Sequence, residues 1–191
     1  KNAGQYLPFS LAILLACTIM FPRILVEVLV VNARLIPSLS ITMGMMAVTG
    51  FVISIIIWRK TGRESTEEMQ LKNPFSIIPA LQFAFLYAVI VFLVRIMSEL
   101  TGDSGVYIVS VLSGLTDVDA ITLSMSQLAK QDPSKLNQAT VAITLAAFSN
   151  TIMKAVIAAS IGSKGLRKVI FIGFAIIIAA GIAGLVINSM L

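Results

Sequence analysis

Six long apolar runs, joined by short polar connectors, account for most of this 191-residue chain. Each run has roughly 20 residues or more, and a helix of that length crosses the ~30 Å hydrocarbon core of a bilayer at about 1.5 Å per residue. The pattern predicts an all-α, polytopic transmembrane bundle that forms one domain over 1–191. We expect about six spans, near residues 6–31, 36–58, 75–98, 106–129, 136–160 and 169–190.

The composition also indicates a membrane protein. Apolar residues make up 58% and charged residues 12% of the chain, and the mean hydropathy is +0.97. Soluble globular chains carry about 25% charged residues, so this chain has too little polar surface to cover itself in water. The net charge of +5 is spread over the connectors and does not favour a nucleic-acid partner.

Residue types that are absent exclude several kinds of chemistry. The sequence has no His and a single Cys, Cys17, so it offers no histidine metal ligand, no Ser-His-Asp triad and no internal disulfide. It carries no Gly-rich nucleotide loop and no HExxH motif. We therefore expect no cofactor, no firmly assigned metal and no enzymatic activity. An intramembrane enzyme is the weakest alternative, because no nucleophile-base pair is evident.

Basic residues in the connectors predict the orientation in the membrane. If six spans place both termini on one side, that side holds seven basic residues and the other holds four, Arg34, Lys164, Arg167 and Lys168. Cytoplasmic connectors are enriched in Lys and Arg, so we expect a multi-pass protein of the inner (plasma) membrane with cytoplasmic termini. The basic cluster at 164–168 argues for the opposite orientation.

Six spans also divide into two sets of three, residues 1–98 and 99–191, which would then have opposite orientations. The first helix of each set is interrupted near its middle, by Pro22 in one and by Gly114 in the other. Paired interruptions are typical of inverted-repeat transporters, whose discontinuous helices line a site at mid-membrane. An inverted repeat with a discontinuous fourth helix is one interpretation; unrelated halves are the other, because their sequence identity is too low to establish a duplication.

Charged residues within the spans are the main functional signal. Near the bilayer centre each costs about 2.5–3.5 kcal/mol to insert, so a protein retains them to pair, to line a wet cavity or to bind a ligand. One alternative is a structural network in which acids and bases cancel, with Arg95 pairing with Glu99 one turn away. The charged residues in spans are Arg23, Glu27, Arg95, Asp117, Asp119 and Lys154.

Asp117 and Asp119 lie near the middle of the fourth span, in the segment SGLTDVDAITLS. On a regular helix, residues two positions apart point to nearly opposite sides and cannot share an ion. If the backbone unwinds between Gly114 and Asp117, both carboxylates can converge with freed carbonyls, which membranes tolerate where the backbone is buried or lines a cavity. The alternative is that one acid faces Lys154 and the other faces water.

Several neighbours complete a candidate ion-binding site. Asn150 shares a helix face with Lys154 four residues later, and hydroxyl and amide oxygens are ligands for hard cations. Lys154 and Arg23 would compensate the charge of the empty site. The alternative is that such polar residues form hydrogen bonds between helices. The candidate ion ligands are Asp117, Asp119, Asn150, Thr116 and Glu27.

Three segments resemble a known family of membrane domains: NPFSIIPALQFAFLYAVIVFL, SGLTDVDAITLSMSQLA and SNTIMKA. In order, they are similar to the recurring motifs of an uncharacterised multi-span domain found C-terminal to MgtC/SapB-type domains in bacteria and archaea. The resemblance covers residues 73–162 and is looser over the first two spans. It implies an inner-membrane protein and marks Gly114, Asp117, Asp119, Asn150 and Lys154 without assigning their roles. The 191 residues, which start at Lys1, contain no segment that we expect to be MgtC/SapB-type.

The leading functional hypothesis is transport or channel-like permeation of a cation or proton at a midplane acidic site. The alternative is a non-transporting regulatory or scaffold module that binds another membrane protein. Expected partners are the bilayer, a small cation or proton, a second copy of the chain and an MgtC/SapB-type domain. The small-residue run at 179–184 favours a close contact between helices or protomers.

Overall fold

A computed structural model describes residues 6–61, 77–100 and 102–190. These parts are helical and contain no strand, which confirms the all-α class. Short 3₁₀ turns connect α1 to α2 and α5 to α6, and the fourth predicted span is discontinuous, as expected. The helices are α1 Tyr6–Asn32, α2 Ile36–Thr61, α3 Ile77–Leu100, α4 Asp103–Thr116, α5 Asp119–Gln131, α6 Leu136–Ile161 and α7 Lys164–Met190.

The apolar character of the long helices makes this a membrane protein. Within the residues that the structure describes, three stretches are long and apolar enough to cross a bilayer, Tyr6–Thr61, Pro133–Ser160 and Lys164–Asn188. The first contains both α1 and α2, which pack against each other. Large apolar side chains such as Phe171, 69% exposed, lie on the outer surface, as expected of helices solvated by lipid. The count of six crossings stays a prediction.

α1 and α2 form an antiparallel hairpin. They are joined by a 3₁₀ turn at Ala33–Leu35, where the Asn32 side chain accepts a hydrogen bond from the Arg34 backbone N–H at 3.3 Å. Gly50 of α2 lies directly against the Thr18 side chain of α1, and a Cβ at Gly50 would overlap it. This close approach sets the spacing of the two helices.

α7 runs parallel to α1, because Gly165 at its start lies against Tyr6 and Gly173 lies against Leu14. Both helices have 27 residues, about 40 Å at 1.5 Å per residue. Tyr6 and Met190 therefore lie at opposite ends of the bundle, which we call the Tyr6 end and the Asn32 end. A bundle that crosses the bilayer in these directions does not place both termini on one side, unlike the orientation expected from six spans.

The small-residue run near the end of α7 packs within the chain. A Cβ at Gly184 would meet the backbone of Thr42 on α2, and a Cβ at Gly181 would meet Met46 on α2 and Phe148 on α6. α7 and α2 are therefore antiparallel and close along this face. The small residues serve helix contacts inside one protomer, which is one of the two alternatives expected from the sequence.

α4 runs parallel to α6, in the same direction along their shared interface. At one end the Gln138 Nε2 donates to Asp103 Oδ1 at 2.7 Å. Further along both helices, the Ser149 Oγ donates to the Val111 carbonyl at 2.7 Å. Residue numbers increase in the same direction on both helices, so α4 begins beside the start of α6.

α5 returns toward the end of the bundle at which α4 begins. A five-residue step from Gln131 to Leu136 joins the end of α5 to the start of α6, so α5 must end near the start of α4. α5 is also parallel to α1, because Arg23 contacts Asp119 and Asn32 Nδ2 donates to the Ser126 carbonyl at 3.4 Å. Together α4 and α5 form a helical hairpin, the α4–α5 hairpin, whose tip is Asp117–Val118.

This hairpin differs from a single fourth crossing. α4 has 14 residues and α5 has 13, so each is about 20 Å long, too short to span a ~30 Å core. α3 ends just before α4 and packs against both arms of the hairpin. The chain from 103 to 131 therefore enters the bundle and leaves it at the same end, the Asn32 end.

The connector between α5 and α6 is fixed by a local cap. Asp132 Oδ1 accepts hydrogen bonds from the Ser134 backbone N–H at 3.0 Å and from the Ser134 hydroxyl at 2.7 Å. These bonds favour the charged carboxylate, and they lower the pKa of Asp132 from its ordinary value. The cap holds the turn that sends the chain from the hairpin into α6.

Candidate functional site

The break in the fourth predicted span lies at Asp117 and Val118. α4 ends at Thr116, and Asp117 has an extended backbone with φ −151° and ψ 139°. The sequence placed the breaks at Gly114 and Pro22, and both differ from the structure. α4 continues through Gly114, and α1 continues through Pro22, which lies inside a helix of 27 residues. The leading helices of the two predicted halves therefore differ in structure.

Gly114 allows α4 and α6 to approach each other closely. A Cβ at this position would overlap the backbone of Ala146 on α6. The contact brings the last turn of α4 against the middle of α6, because Asn150 lies about 21 Å from the start of α6 and about 16 Å from its end. The tip of the hairpin is thus held at mid-height in the bundle.

Side chains satisfy the backbone groups that the break leaves without helical partners. Asn150 Nδ2 donates to the Gly114 carbonyl at 2.8 Å. The Asp119 backbone N–H donates to Asp117 Oδ1 at 3.1 Å, and the Ser113 hydroxyl donates to the Asp117 carbonyl at 3.2 Å. Because unpaired backbone groups are costly in an apolar interior, these bonds stabilise the turn. Asp117 therefore acts in the structure as a cap for α5.

Arg23 on α1 joins two of the three acidic side chains. Its Nη2 lies 2.5 Å from Asp119 Oδ1, and its Nε lies 3.6 Å from Glu27 Oε1. Asp119 and Glu27 are 19% and 20% exposed at their side chains, whereas Arg23 is 52% exposed. The carboxylates are thus paired with a guanidinium that is itself open to the surroundings. These pairs fit both the predicted charge compensation by Arg23 and the alternative of a structural network, and its role at an ion site stays a prediction.

Two buried acceptor oxygens near the tip have no hydrogen-bond partner in the described parts of the chain. They are Asn150 Oδ1 and Glu27 Oε2. Asn150 is 4% exposed, and its amide is oriented by the bond from Nδ2 to Gly114. A buried acceptor without a donor is unfavourable by about 1–3 kcal/mol. These two oxygens are therefore acceptors to which a cation or a proton can bind.

Lys154 lies one turn beyond Asn150 on α6, where its ammonium has a thioether as its one hydrogen-bond partner in the described residues. Nζ lies 3.5 Å from the Sδ of Met20 on α1. No carboxylate lies within ion-pair distance of it among residues 6–61, 77–100 and 102–190. Met20 lies about one turn before Arg23 on α1, so Lys154 is near the Arg23 contacts without being paired to a carboxylate.

The predicted set is brought together only in part. Thr116 is exposed, and its hydroxyl donates to the Ser113 carbonyl of its own helix at 2.8 Å, so it is turned away from the charged groups. Arg95 pairs with Glu99 at 3.8 Å on the outer surface, which confirms that it can be satisfied locally. The other candidates are joined in separate contacts: Arg23 pairs with Glu27 and Asp119, Asp117 bonds the Asp119 backbone, Asn150 bonds the Gly114 carbonyl, and Lys154 bonds Met20.

Sequence reasoning missed the residues that build the tip. The hydroxyls of Ser113 and Ser149 donate hydrogen bonds to backbone carbonyls of the hairpin. The Met20 thioether accepts a hydrogen bond from the Lys154 ammonium. Hydroxyls in a helical span are common between helices and carry no specific pattern. The contacts between α4 and α6 could not be predicted from the sequence, because they depend on the direction in which α4 runs.

The charges of the candidate residues favour a small cation over an anion. Three acids, Glu27, Asp117 and Asp119, and two bases, Arg23 and Lys154, sum to one net negative charge when all are ionised. No three His, Cys, Asp or Glu side chains lie close enough together in the described ranges to form a metal-binding group. The available ligands are single carboxylates, an amide oxygen and backbone carbonyls.

Comparison with known families identifies the class of this protein. Residues 1–162 match the family described as "Domain of unknown function (DUF4010)", so the chain belongs to that family. The match extends over α1 and α2, where the sequence resemblance was looser, and over the hairpin and α6. α7, at Lys164–Met190, follows the matched region.

A relative shares most of this region. An "Uncharacterized protein" of Aquifex aeolicus (strain VF5) is 31% identical over 162 residues, which cover 83% of this chain and 70% of that protein. No solved structure matches the chain. Neither comparison names an activity, so the functional argument depends on the geometry of the hairpin tip.

Proposed function

We propose that this protein moves a small cation or a proton across the membrane, and that the tip of the α4–α5 hairpin holds the site. The observation that carries the proposal is the hairpin itself, which brings Asp117 and Asp119 to mid-height in the bundle, a few residues along the chain from the Gly114 carbonyl that Asn150 bonds. Helices interrupted at mid-membrane are the usual way in which transporters bind ions.

Charge exchange at Arg23 provides a mechanism. In the described structure Arg23 neutralises Asp119 and Glu27. A cation or proton at Asp119 would weaken the attraction to Arg23, whose side chain is half exposed and free to move away. Lys154, which no carboxylate holds, would compensate the vacant acidic site and be repelled when a cation arrives. The intramembrane charges would thus alternate between internal pairing and ligand binding.

We further propose that the hairpin is re-entrant, entering and leaving the membrane on the side of the Asn32 end. Five helices, α1, α2, α3, α6 and α7, would then cross. Arg59, Lys60, Lys164, Arg167 and Lys168 fall at the Tyr6 end. Segments 1–5 and 62–76, which adjoin α1 and α2 in the chain, carry three more basic residues. The Tyr6 end would therefore be cytoplasmic, and the basic cluster at 164–168 no longer conflicts with the other charges.

A second function has support from one observation. Arg23 pairs with both Asp119 and Glu27, as a structural network would require. In that case the hairpin is a rigid element, and the protein is a regulatory or scaffold module for another membrane protein. The resemblance to domains that follow MgtC/SapB-type domains makes such a domain, together with a second copy of this chain, the partner that we propose for either function.

Ion flux in liposomes tests the proposal. The purified chain would be reconstituted with a fluorescent indicator for the ion under test inside, and flux would be driven by gradients of H⁺, Na⁺, K⁺ or Mg²⁺. We expect flux of one cation or of protons, reduced at least about tenfold in Asp119→Asn and Asn150→Leu, since one charged or buried contact is worth about 1.5–3 kcal/mol. The matched control is Asp132→Asn, which removes a carboxylate from a connector and should leave flux unchanged.

The outcomes separate the two functions. Flux that depends on Asp119 and Asn150 supports transport at the hairpin tip. Absence of protein-dependent flux under all gradients, in protein that circular dichroism shows to be folded, would contradict transport and favour the scaffold. Equal flux in wild type and both variants would place the transport path elsewhere and overturn the proposed site.

A further inference from the structure

A lipid-facing groove lies between α6 and α7, away from the hairpin. It has a volume of 480 Å³, and one face of each helix lines it. On α6 the lining includes Ile152 and Val156, and on α7 it includes Phe171 and Ala175. These four side chains are exposed in the monomer, so the groove opens to the surroundings of the protein and not to its interior.

One charged side chain lies at the end of this apolar groove. Arg167 is in its lining, at the Tyr6 end of α7. Its Nε donates to the Gly162 carbonyl at 2.9 Å, and its Nη2 donates to the Ser160 carbonyl at 3.2 Å. A guanidinium has five N–H donors, so these two bonds orient it and leave about three donors for a further acceptor.

The surroundings of Arg167 are strongly basic. From Lys154 to Met190 the chain has four basic residues and no Asp or Glu. Lys164 and Lys168 lie on the same turns of α7 as Arg167 and are exposed. The described residues at this end, in 6–10, 55–61 and 158–170, include no acid that would neutralise the cluster. The groove mouth therefore favours an anion.

We propose that this groove binds an anionic phospholipid, with an acyl chain between α6 and α7 and the phosphate on Arg167. From Arg167 to Ile178 the lining of α7 extends 11 residues, about 16 Å along the axis, which matches one leaflet of a ~30 Å hydrocarbon core. Arginine binds phosphate through paired N–H donors, and basic pockets between transmembrane helices are suited to anionic headgroups. The site is independent of the transport proposal.

Lipid binding to the purified chain tests this site. Phosphatidylglycerol, phosphatidylcholine and glycerol phosphate would each be added to protein in detergent, with binding followed by native mass spectrometry and by the thermal midpoint. We expect phosphatidylglycerol to bind at least about tenfold more tightly than phosphatidylcholine, a difference of about 1.4 kcal/mol. Glycerol phosphate, which has the headgroup but no acyl chain, should bind weakly.

Two pairs of variants examine the two parts of the site. Arg167→Gln removes the phosphate contact, and Lys130→Gln is its control, an exposed base in the last turn of α5 at the Asn32 end, outside the lining. Ala175→Trp fills the groove, and Ile172→Trp is its control, an exposed position at the same depth that does not line the groove. We expect about tenfold weaker phosphatidylglycerol binding in the first member of each pair and a change below about threefold in each control.

Arg167 also bonds the end of α6, so Arg167→Gln could unfold that region. Ala175→Trp leaves those bonds in place and keeps the test decisive. Equal binding of the two phospholipids, binding of glycerol phosphate as tight as that of the lipid, or full binding in Ala175→Trp would each overturn the proposal.

Discussion

The Arg23 guanidinium on α1 contacts the Asp119 carboxylate at the first residue of α5, although the two lie 96 positions apart in the chain. Arg23 also lies one turn from Glu27 on its own helix, at 3.6 Å between Nε and Oε1. This contact ties the tip of the α4–α5 hairpin to α1 and determines which charges remain for a ligand. Both the transport function and the structural network include this contact. The two interpretations differ in whether the contact opens when a cation or proton binds.

Substitution of Arg23 tests how much this contact contributes to the free energy of unfolding. Arg23→Gln leaves Asp119 and Glu27 without a counter-charge, and we expect unfolding to become easier by about 1–3 kcal/mol. Asp119→Asn in the same protein should restore part of the loss, because the uncompensated carboxylate is then removed. A double-mutant cycle on the thermal or denaturant midpoint measures the coupling. Strictly additive effects would show that the contact contributes nothing to stability.

Close packing at Gly114 gives a second prediction. Gly114→Ala places a Cβ on the Ala146 backbone, and we expect a loss of about 1–3 kcal/mol from overpacking. Gly44→Ala is the matched control, because a Cβ at Gly44 meets no atom within 4 Å. There the better helix propensity of alanine should leave stability equal or slightly raised. Thermal melts of both variants, read by circular dichroism, give the comparison. Equal midpoints would mean that α4 does not approach α6 this closely.

The positions of the helices could largely be predicted from the sequence, because five of the six apolar runs each correspond to one helix, whereas the fourth run is divided between α4 and α5. The direction of the fourth run could not. An apolar run with a break is compatible with one interrupted helix that crosses the membrane or with a hairpin that returns to the same side. Hydropathy does not distinguish the two, because it does not depend on the direction of the chain. A weak signal existed in the second arm: Thr122, Ser124 and Ser126 are buried, which suits a helix inside the bundle better than one facing lipid.

The side of each connector distinguishes a hairpin from a fourth crossing. In a Cys17→Ser background, single cysteines would be placed at Lys60, Ser163, Ala33 and Ser134, which are all exposed. A thiol reagent that does not cross the membrane should label Lys60→Cys and Ser163→Cys from one side, and Ala33→Cys and Ser134→Cys from the other. Six crossings would instead place Lys60 and Ser163 on opposite sides. That result would contradict the re-entrant hairpin.

The Asp132 cap predicts a pH dependence at the Asn32 end. Hydrogen bonds from Ser134 lower the pKa of Asp132 in the folded protein. The cap therefore stabilises the fold above the ordinary carboxyl pKa of about 4, and this contribution is lost as the pH falls through the lowered value. Ser134→Ala removes the hydroxyl bond, so its destabilisation should be full at neutral pH and vanish in acid. Melting of both proteins between pH 2 and 7 is the measurement; a difference independent of pH would contradict the cap.

The composition of the site was more predictable than its arrangement. A charged residue within an apolar span is unfavourable to insert into lipid and is therefore easily recognised in the sequence. The residues recognised in this way include Arg23, Glu27, Asp117, Asp119 and Lys154. Their pairing depends on which helices meet, and that follows from the hairpin. Thr116 was assigned to the site because it adjoins Asp117, but at the end of α4 its hydroxyl bonds the Ser113 carbonyl. Adjacency in sequence did not indicate orientation at a helix terminus.

Water access at the tip of the hairpin tests the central claim most directly, since an ion can reach Asp119 only through a wet path. In a Cys17→Ser background, Asp117→Cys would be placed at the tip itself, where the residue is partly buried, and Leu112→Cys on the exposed face of α4 as the lipid-facing control. We expect a charged, water-soluble thiol reagent to modify Asp117→Cys from the side of the Asn32 end and to leave Leu112→Cys unmodified. Protection of both cysteines from the reagent on both sides would contradict the account, because it would leave the acidic tip dry and its charges paired only with one another.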